Sequence, residues 1–279
     1  MNSMIGKKIG EGGYSEVFEW GGPHQIVKIG KANTSFKEMR KEFASTLIVW
    51  EHGLPAVRPL EFIEVDGSPA IVFERIHGVS LLERFLHQML QSQGMAANGD
   101  FNKDSIHTTA RLLNDVHRIS NLHLQPQREI LIHSILKPPY LSSSEKDEVI
   151  KRLQHLPMKS KLCHGDPNPG NILISDEKAV FIDWLTASIG NPEADVAEYI
   201  LMIRYAILPE QLPSFAVKAF DSIREKIVSI FCEEYCKLSG ITYEEIDEWI
   251  VPVAARKLCA DAISEEEKRI LLNEIRSKL

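Results

Sequence analysis

The stretch Leu162-Cys163-His164-Gly165-Asp166-Pro167-Asn168-Pro169-Gly170-Asn171-Ile172-Leu173-Ile174 runs on through Ser175-Asp176-Glu177-Lys178 to Ala179-Val180-Phe181-Ile182-Asp183-Trp184. Short apolar runs punctuated by polar turns predict a small β island: Lys161–Cys163, then Asn171–Ile174 and Ala179–Ile182 joined by a turn over 175–178. Asp166, Asn171 five residues on and Asp183 twelve beyond that stand at turns or strand ends beside this hairpin. Three oxygen-bearing side chains placed so can converge on one point. Pro167 and Pro169 fix two φ angles and stiffen the loop. Taken singly, each polar residue is an ordinary turn residue; their order, and what precedes them in the chain, gives the set its meaning.

Upstream lies Gly10-Glu11-Gly12-Gly13-Tyr14-Ser15-Glu16-Val17, between predicted strands Ile5–Ile9 and Val17–Trp20, with Gly21-Gly22-Pro23 leading into a third strand, Gln25–Ile29. A glycine turn suits a plain hairpin. It also lets backbone N–H groups approach phosphate oxygens, because no Cβ intervenes, and Val17 would then cover an adenine ring. Lys28 sits in the apolar strand Gln25-Ile26-Val27-Lys28-Ile29. An ammonium there must reach solvent or find an anion, and one strand after the glycine turn it is set to meet phosphates. A carboxylate partner is expected from the next helix, where Ser35 and Glu38 form a capping box and Phe36, Met39, Phe43, Leu47 and Trp50 make an apolar stripe. Glu42 lies about 100° from the centre of that stripe and Glu38 roughly 140°, which favours Glu42; a solvated surface role stays open for either.

Gly53 suits the end of that helix, and strands Leu60–Val65 and Ala70–Phe73 follow around Asp66-Gly67. Beyond them the chain turns helical: Leu81–Gln91, Ile106–Ile119 and a helix opened by Ser142/Glu145, with an exposed loop expected over Ser92–Asp104. From about Asp195 the rest reads as helix, with capping boxes at Thr242/Glu245 and Ser264/Glu267. The expected fold is therefore α+β with two lobes, a β-rich N-lobe of five strands and one helix over residues 1–76 and a mainly helical C-lobe over 77–279. The 279 residues suffice for two such cores. A net charge of −7 argues against nucleic acid as the main partner. No apolar run is long enough to span a membrane and no signal core stands at the N-terminus, so a cytoplasmic protein is expected. Cys163, Cys232, Cys236 and Cys259 show no zinc spacing and read as reduced, packed thiols.

An acid that orients an acceptor hydroxyl, hard oxygen ligands for Mg²⁺, a glycine turn and a lysine for phosphates are the parts phosphoryl transfer needs. With His164-Gly165-Asp166 and Asn171, the set resembles the aminoglycoside phosphotransferase and choline kinase branch of the protein-kinase-like superfamily, over roughly residues 5 to 200. That resemblance implies a protein-kinase-like fold, ATP or GTP as phosphate donor and a small-molecule hydroxyl as acceptor. It implies Asp166 as catalytic base, Asn171 and Asp183 as Mg²⁺ ligands, and Lys28 with Glu42 as the ion pair that positions the phosphates. Gly10, Gly12, Gly13 and Ser15 would belong to the lid over the nucleotide with Val17 against its base, and Glu74 to Ile76 would form the hinge that binds the base. Asp195 resembles the family's bracing aspartate, although a plain helix N-cap would use the same residue. His117 fits as a packed structural histidine.

The departures narrow the acceptor. Ser15 replaces the third glycine of the kinase loop, Asp183-Trp184 replaces Asp-Phe-Gly, and Asn168 stands where many protein kinases carry lysine. Eight residues separate Asp183 from Pro192, too few for an activation segment and a peptide platform. A small hydroxylated acceptor is therefore expected: an aminoglycoside-like antibiotic, an amino alcohol or a sugar. The acid-rich runs Glu233-Glu234, Glu244–Glu248 and Glu265–Glu267 read either as solvated helix faces or as an anionic pocket for an amine-bearing acceptor. The competing class is a nucleotide-binding pseudokinase acting as sensor or scaffold, which would lack a base or a metal ligand.

Overall fold

The computed structural model describes residues 4–91, 103–175, 178–208, 212–261 and 263–279. In chain order the N-terminal half holds β1 (Ile5–Glu11), β2 (Ser15–Trp20), β3 (Gln25–Gly30), α1 (Phe36–Glu51), β4 (Pro59–Val65), β5 (Ser68–Glu74) and β6 (Val79–Ser80). Helices α2 (Leu81–Gln91), α3 (Asp104–His117), α4 (Gln127–Leu136) and α5 (Ser143–His155) follow. Then come β7 (Lys161–Cys163), β8 (Ile172–Ile174), β9 (Ala179–Phe181) and β10 (Ser188–Gly190). The chain ends in α6 (Pro192–Tyr205), α7 (Ser214–Ser239), α8 (Tyr243–Asp247), α9 (Ile250–Lys257) and α10 (Glu265–Lys278). From sequence alone the division falls after residue 76. By contacts, one compact unit is Met1–Ser80 with Asn171–Ala187, and the other is Leu81–Gly170 with Ser188–Leu279.

The first unit is built on an antiparallel sheet in the order β1-β2-β3-β5-β4, with β6-β8-β9 as a second small sheet. Asp66 and Gly67 both take positive φ, 47° and 83°, the geometry a two-residue hairpin between β4 and β5 requires. Alternation along β3 and β5 sorts the side chains. Ile71 and Phe73 pack with Met39 of α1, Val57, Val180 and Ile26 on one face, while Val27, Ala70 and Val72 form the core of the other. Lys28, two residues from Ile26, therefore lies on the face that α1 covers. The Phe181 N–H donates to the Pro55 carbonyl at 2.8 Å and ties the β8–β9 hairpin into this unit.

Helix α1 begins at the expected box: Ser35 accepts the Glu38 N–H and Glu38 takes the Ser35 N–H in return. Its buried face is not the apolar stripe read from sequence. Met39, Glu42, Ser45, Thr46 and Val49 are buried, whereas Phe36 is 41% exposed. At 3.6 residues per turn this is a rotation of about 100°. Small hydroxyl residues allow close packing against the sheet, and the Thr46 hydroxyl is satisfied by the Glu42 carbonyl at 2.8 Å. The rotation brings Glu42 to the middle of the interface.

The second unit is mainly helical. Its short sheet pairs β7 with β10, placing Cys163 opposite Ser188. Strand β10 and helix α4 were not expected. Three residues give no period to detect, and α4 carries the unbroken run Ile130-Leu131-Ile132, in which no single apolar stripe shows. The boxes at Ser142/Glu145 and Thr242/Glu245 are complete. At Ser264 only half forms, because the buried Glu267 carboxylate accepts from the Ile207 N–H instead. The loop expected over Ser92–Asp104 lies outside the described residues up to position 102, and Asp104 already opens α3. No described helix is long and apolar enough to cross a membrane.

Candidate active site

In the first unit, strand alternation and the turned α1 bring a lysine and two carboxylates together. Lys28 Nζ lies 2.6 Å from Glu42 Oε1 and 3.4 Å from Asp183 Oδ2. Burial works against the Lys28 ammonium, but the charges of Glu42 and Asp183 outweigh it and raise its pKa, so the lysine stays cationic. Burial pushes the Glu42 carboxyl up against the pull of Lys28, and the charge of Asp183 adds to the rise. Glu38, the other candidate partner, is engaged in the α1 cap.

Asp183 follows β9 in a left-handed conformation, φ 62°, which a non-glycine residue adopts only under constraint. The constraint is visible next door: the Ile182 N–H donates to the Asn171 carbonyl at 2.8 Å, holding the ends of β8 and β9 side by side. Asn171 and Asp183 thus sit on adjacent backbone. An amide oxygen and a carboxylate are hard donors, and Mg²⁺ is commonly held by one or two protein ligands with the remaining positions left to phosphate and water. The donor set fits that ion.

The turn between β1 and β2 is tied down through its carbonyls. Lys31 Nζ bonds Glu11 Oε1 at 2.6 Å and the Gly12 carbonyl at 2.8 Å, and the Lys31 N–H bonds the Tyr14 carbonyl at 2.9 Å. Lys31 and Lys8 beside Glu11 hold its carboxyl at about 2. A Cβ on Gly13 would meet nothing within 4 Å, so the turn is open at that position, while the Gly12 N–H closes it by donating to the Ser15 carbonyl at 2.9 Å. Gly10 pairs with Val17 across the hairpin, and Ser15 is buried at the start of β2. At the end of β5 the Glu74 N–H bonds the Arg58 carbonyl and the Arg75 N–H bonds the His24 carbonyl, which fixes the segment leading to Ile76.

In the second unit the loop after β7 is held from below by helix α6. Asp195 Oδ2 accepts the His164 N–H at 2.6 Å and Oδ1 accepts the Gly165 N–H at 3.0 Å. Gly165 stands at φ 82°, a conformation that lets both N–H groups turn toward one carboxylate. The His117 ring links Asp195 (Nε2, 3.2 Å) to the Tyr235 hydroxyl (Nδ1, 2.7 Å). Asp195 is thus a brace inside the helix; the N-cap position belongs to Asn191. His117, Cys163 and Asp195 cluster closely enough to suggest metal ligands. The histidine and the carboxylate are already engaged, and burial together with Asp195 and Glu193 pushes the Cys163 thiol well up.

One turn along α6, Glu198 forms a feature the sequence reading missed. Its carboxylate takes Arg256 Nη1 at 3.0 Å and Lys257 Nζ at 2.7 Å, both from α9, and Arg256 Nη2 reaches the Gly165 carbonyl at 3.2 Å. Asp166 follows directly. Burial raises its pKa and the Glu198 charge adds to this, while His164, Arg256 and Lys257 oppose. A carboxylate poised above its usual range is a better proton acceptor. The signal for this cluster lay in Val196-Ala197-Glu198-Tyr199-Ile200, an acid inside an apolar helix.

The sequence profile of the phosphotransferase enzyme family matches residues 6–225. The chain belongs to that family. Membership makes the chain a phosphotransferase, and the likeness to solved kinase structures shows the fold it shares with them. Among solved structures, aminoglycoside phosphotransferase APH(4)-Ia in a ternary complex with AMP-PNP and hygromycin B matches with a TM-score of 0.64 and 14% identity, over 99% of this chain and 92% of that one. Amicoumacin kinase hAmiN, bound to AMP-PNP and Ca²⁺, matches at 0.59 and 15%, over 100% and 89%. Choline kinase LicA from Streptococcus pneumoniae matches at 0.60 and 16%, over 97% and 91%. No curated protein sequence matches the phosphotransferase.

Proposed function

We propose that this phosphotransferase moves the γ-phosphoryl group of ATP or GTP to a hydroxyl of a small molecule, with Asp166 as base and Mg²⁺ on Asn171 and Asp183. The observation that carries the reading is the Lys28 ammonium set between Glu42 and Asp183, a cation aligned by one acid beside a pair of hard oxygen donors. Glu42 orients Lys28 toward the phosphates, and the turn that carries Gly10, Gly12 and Gly13 closes over them. Val17 packs on the base, whose edge meets the Glu74 carbonyl and the Ile76 N–H. Magnesium, when bound, neutralises charge on the β- and γ-phosphates. Asp166 accepts the acceptor's hydroxyl proton as the new O–P bond forms and the bond from the γ-phosphorus to the diphosphate breaks.

Nucleotide analogues bound to APH(4)-Ia and hAmiN support a nucleotide donor. Four free thiols suit a cytoplasmic enzyme. The test is nucleoside diphosphate release with Mg-ATP or Mg-GTP against aminoglycosides, macrolides, amino alcohols and sugars. Release that depends on one acceptor class is expected. A protein that binds neither Mg-nucleotide would overturn the reading.

A further inference from the structure

The second unit contains a pocket of about 170 Å³ lined by α2, α3, α6 and α7 and floored by Asn168 and Pro169, two and three residues past Asp166. Its walls are apolar: Leu82, Phe85, Ile106, Met202, Ile203 and Phe220 all face it, and no charged residue is among its described lining. The acid-rich runs lie elsewhere and are largely engaged. Glu234 pairs with Arg111, Glu245 caps α8 and Glu265 pairs with Lys268. Leu82 Cδ2 lies 3.7 Å from where a Cβ on Gly170 would stand, so the apolar wall reaches the same loop.

One polar atom breaks the pattern. Among the described residues, Ser105 Oγ is the single buried side-chain polar atom without a hydrogen-bond partner, and Ser105, 8% exposed at the start of α3, lines this cavity. Buried hydroxyls are nearly always satisfied, and leaving one unpaired is unfavourable. Elsewhere in the lining the Thr109 hydroxyl donates to the Ser105 carbonyl, and Asn168 Oδ1 accepts the Gly170 N–H. A mainly apolar hollow with a few polar atoms in its wall is the usual make-up of a small-ligand site.

We propose that this cavity receives the uncharged, apolar end of the phosphate acceptor and that Ser105 hydrogen-bonds a polar atom on it. The inference rests on the phosphotransfer reading and gives that reading its substrate class: a neutral hydroxyl compound with a hydrophobic group about the size of one ring. An apolar cavity of about 150 Å³ holds a benzene molecule. An ammonium group is disfavoured, because the described lining offers no carboxylate to pair with it. Polycationic aminoglycosides and choline are therefore poor occupants.

The test uses ¹⁹F NMR titration of 2-(4-fluorophenyl)ethanol and of 2-(4-fluorophenyl)ethylammonium into the wild type, Ser105→Ala and Ala206→Phe, which fills the cavity. The alcohol should bind the wild type and bind Ala206→Phe at least roughly tenfold more weakly, a loss of about 1.4 kcal/mol. Ser105→Ala should weaken the alcohol by roughly tenfold while raising the melting temperature of the ligand-free protein, since an unpaired hydroxyl is removed. The ammonium probe should bind at least tenfold more weakly than the alcohol, by the same free-energy scale. With Mg-ATP present, neutral aryl alcohols should release ADP faster than kanamycin or choline. Absent alcohol binding, equal affinity for the ammonium, an unchanged affinity in both variants, or faster turnover of kanamycin or choline would each overturn the proposal. Mg-ATP binding, followed on the same samples, reports separately on the kinase reading.

Discussion

Asp183→Asn should lower phosphoryl transfer by about 10²–10³-fold or more, the typical result of removing one group that stabilises transition-state charge. The substitution is isosteric and the side chain is 41% exposed, so the core is untouched. Lys28 keeps Glu42 at 2.6 Å, and asparagine tolerates the left-handed conformation of position 183 at least as well as aspartate. The melting temperature should therefore hold while activity collapses. The collapse should carry a metal signature, with the Mg²⁺ concentration for half-maximal rate moving upward. Full turnover with an unchanged Mg²⁺ dependence would remove Asp183 from the metal site. A parallel fall in melting temperature would make the aspartate structural.

Glu198→Ala acts on stability instead. Glu198, Arg256 and Lys257 form one buried network in which a single carboxylate answers two cations. Removing it strands both, and breaking a buried pair from one side typically costs about 3–5 kcal/mol. For a protein of this size that is a fall in melting temperature on the order of 10 °C. Burial alone would raise the Glu198 pKa, but Lys257 and Arg256 reverse the sign and hold it below the ordinary value. Its stabilising contribution is thus present above the unfolded-state carboxylate pKa and is lost as pH falls through the lower folded value. Melting temperatures measured against pH should show the wild type losing its advantage over Glu198→Ala in that acid window. An equal melting temperature at neutral pH would mean that the network contributes nothing net.

What was legible in the sequence follows the range of the interactions. The caps at Ser35 and Ser142 and the Asp66-Gly67 turn are decided within a few residues, and the structure forms all three. The stretch from Leu162 to Trp184 was readable because its strands, turns and polar residues are contiguous. The burial of Glu42 was harder. The apolar stripe of α1 pointed about 100° away, and the face that packs on the sheet instead carries Glu42 to Lys28. The Arg256–Glu198–Lys257 network and the cavity beside Ser105 were invisible because each joins segments far apart in sequence. The acid-rich runs illustrate the converse: conspicuous in sequence, they serve mainly as caps and surface pairs.

The most direct test of phosphoryl transfer to a small hydroxyl compound is the fate of the γ-phosphate in the wild type and in Asp166→Asn, followed by ³¹P NMR with Mg-ATP and an accepted alcohol. The prediction is a phosphate monoester on the acceptor, formed by Asp166→Asn about 10²–10⁴-fold more slowly with Mg-ATP affinity unchanged. A γ-phosphate that stays on the nucleotide, or an Asp166→Asn protein that forms the ester at the wild-type rate, would contradict the account.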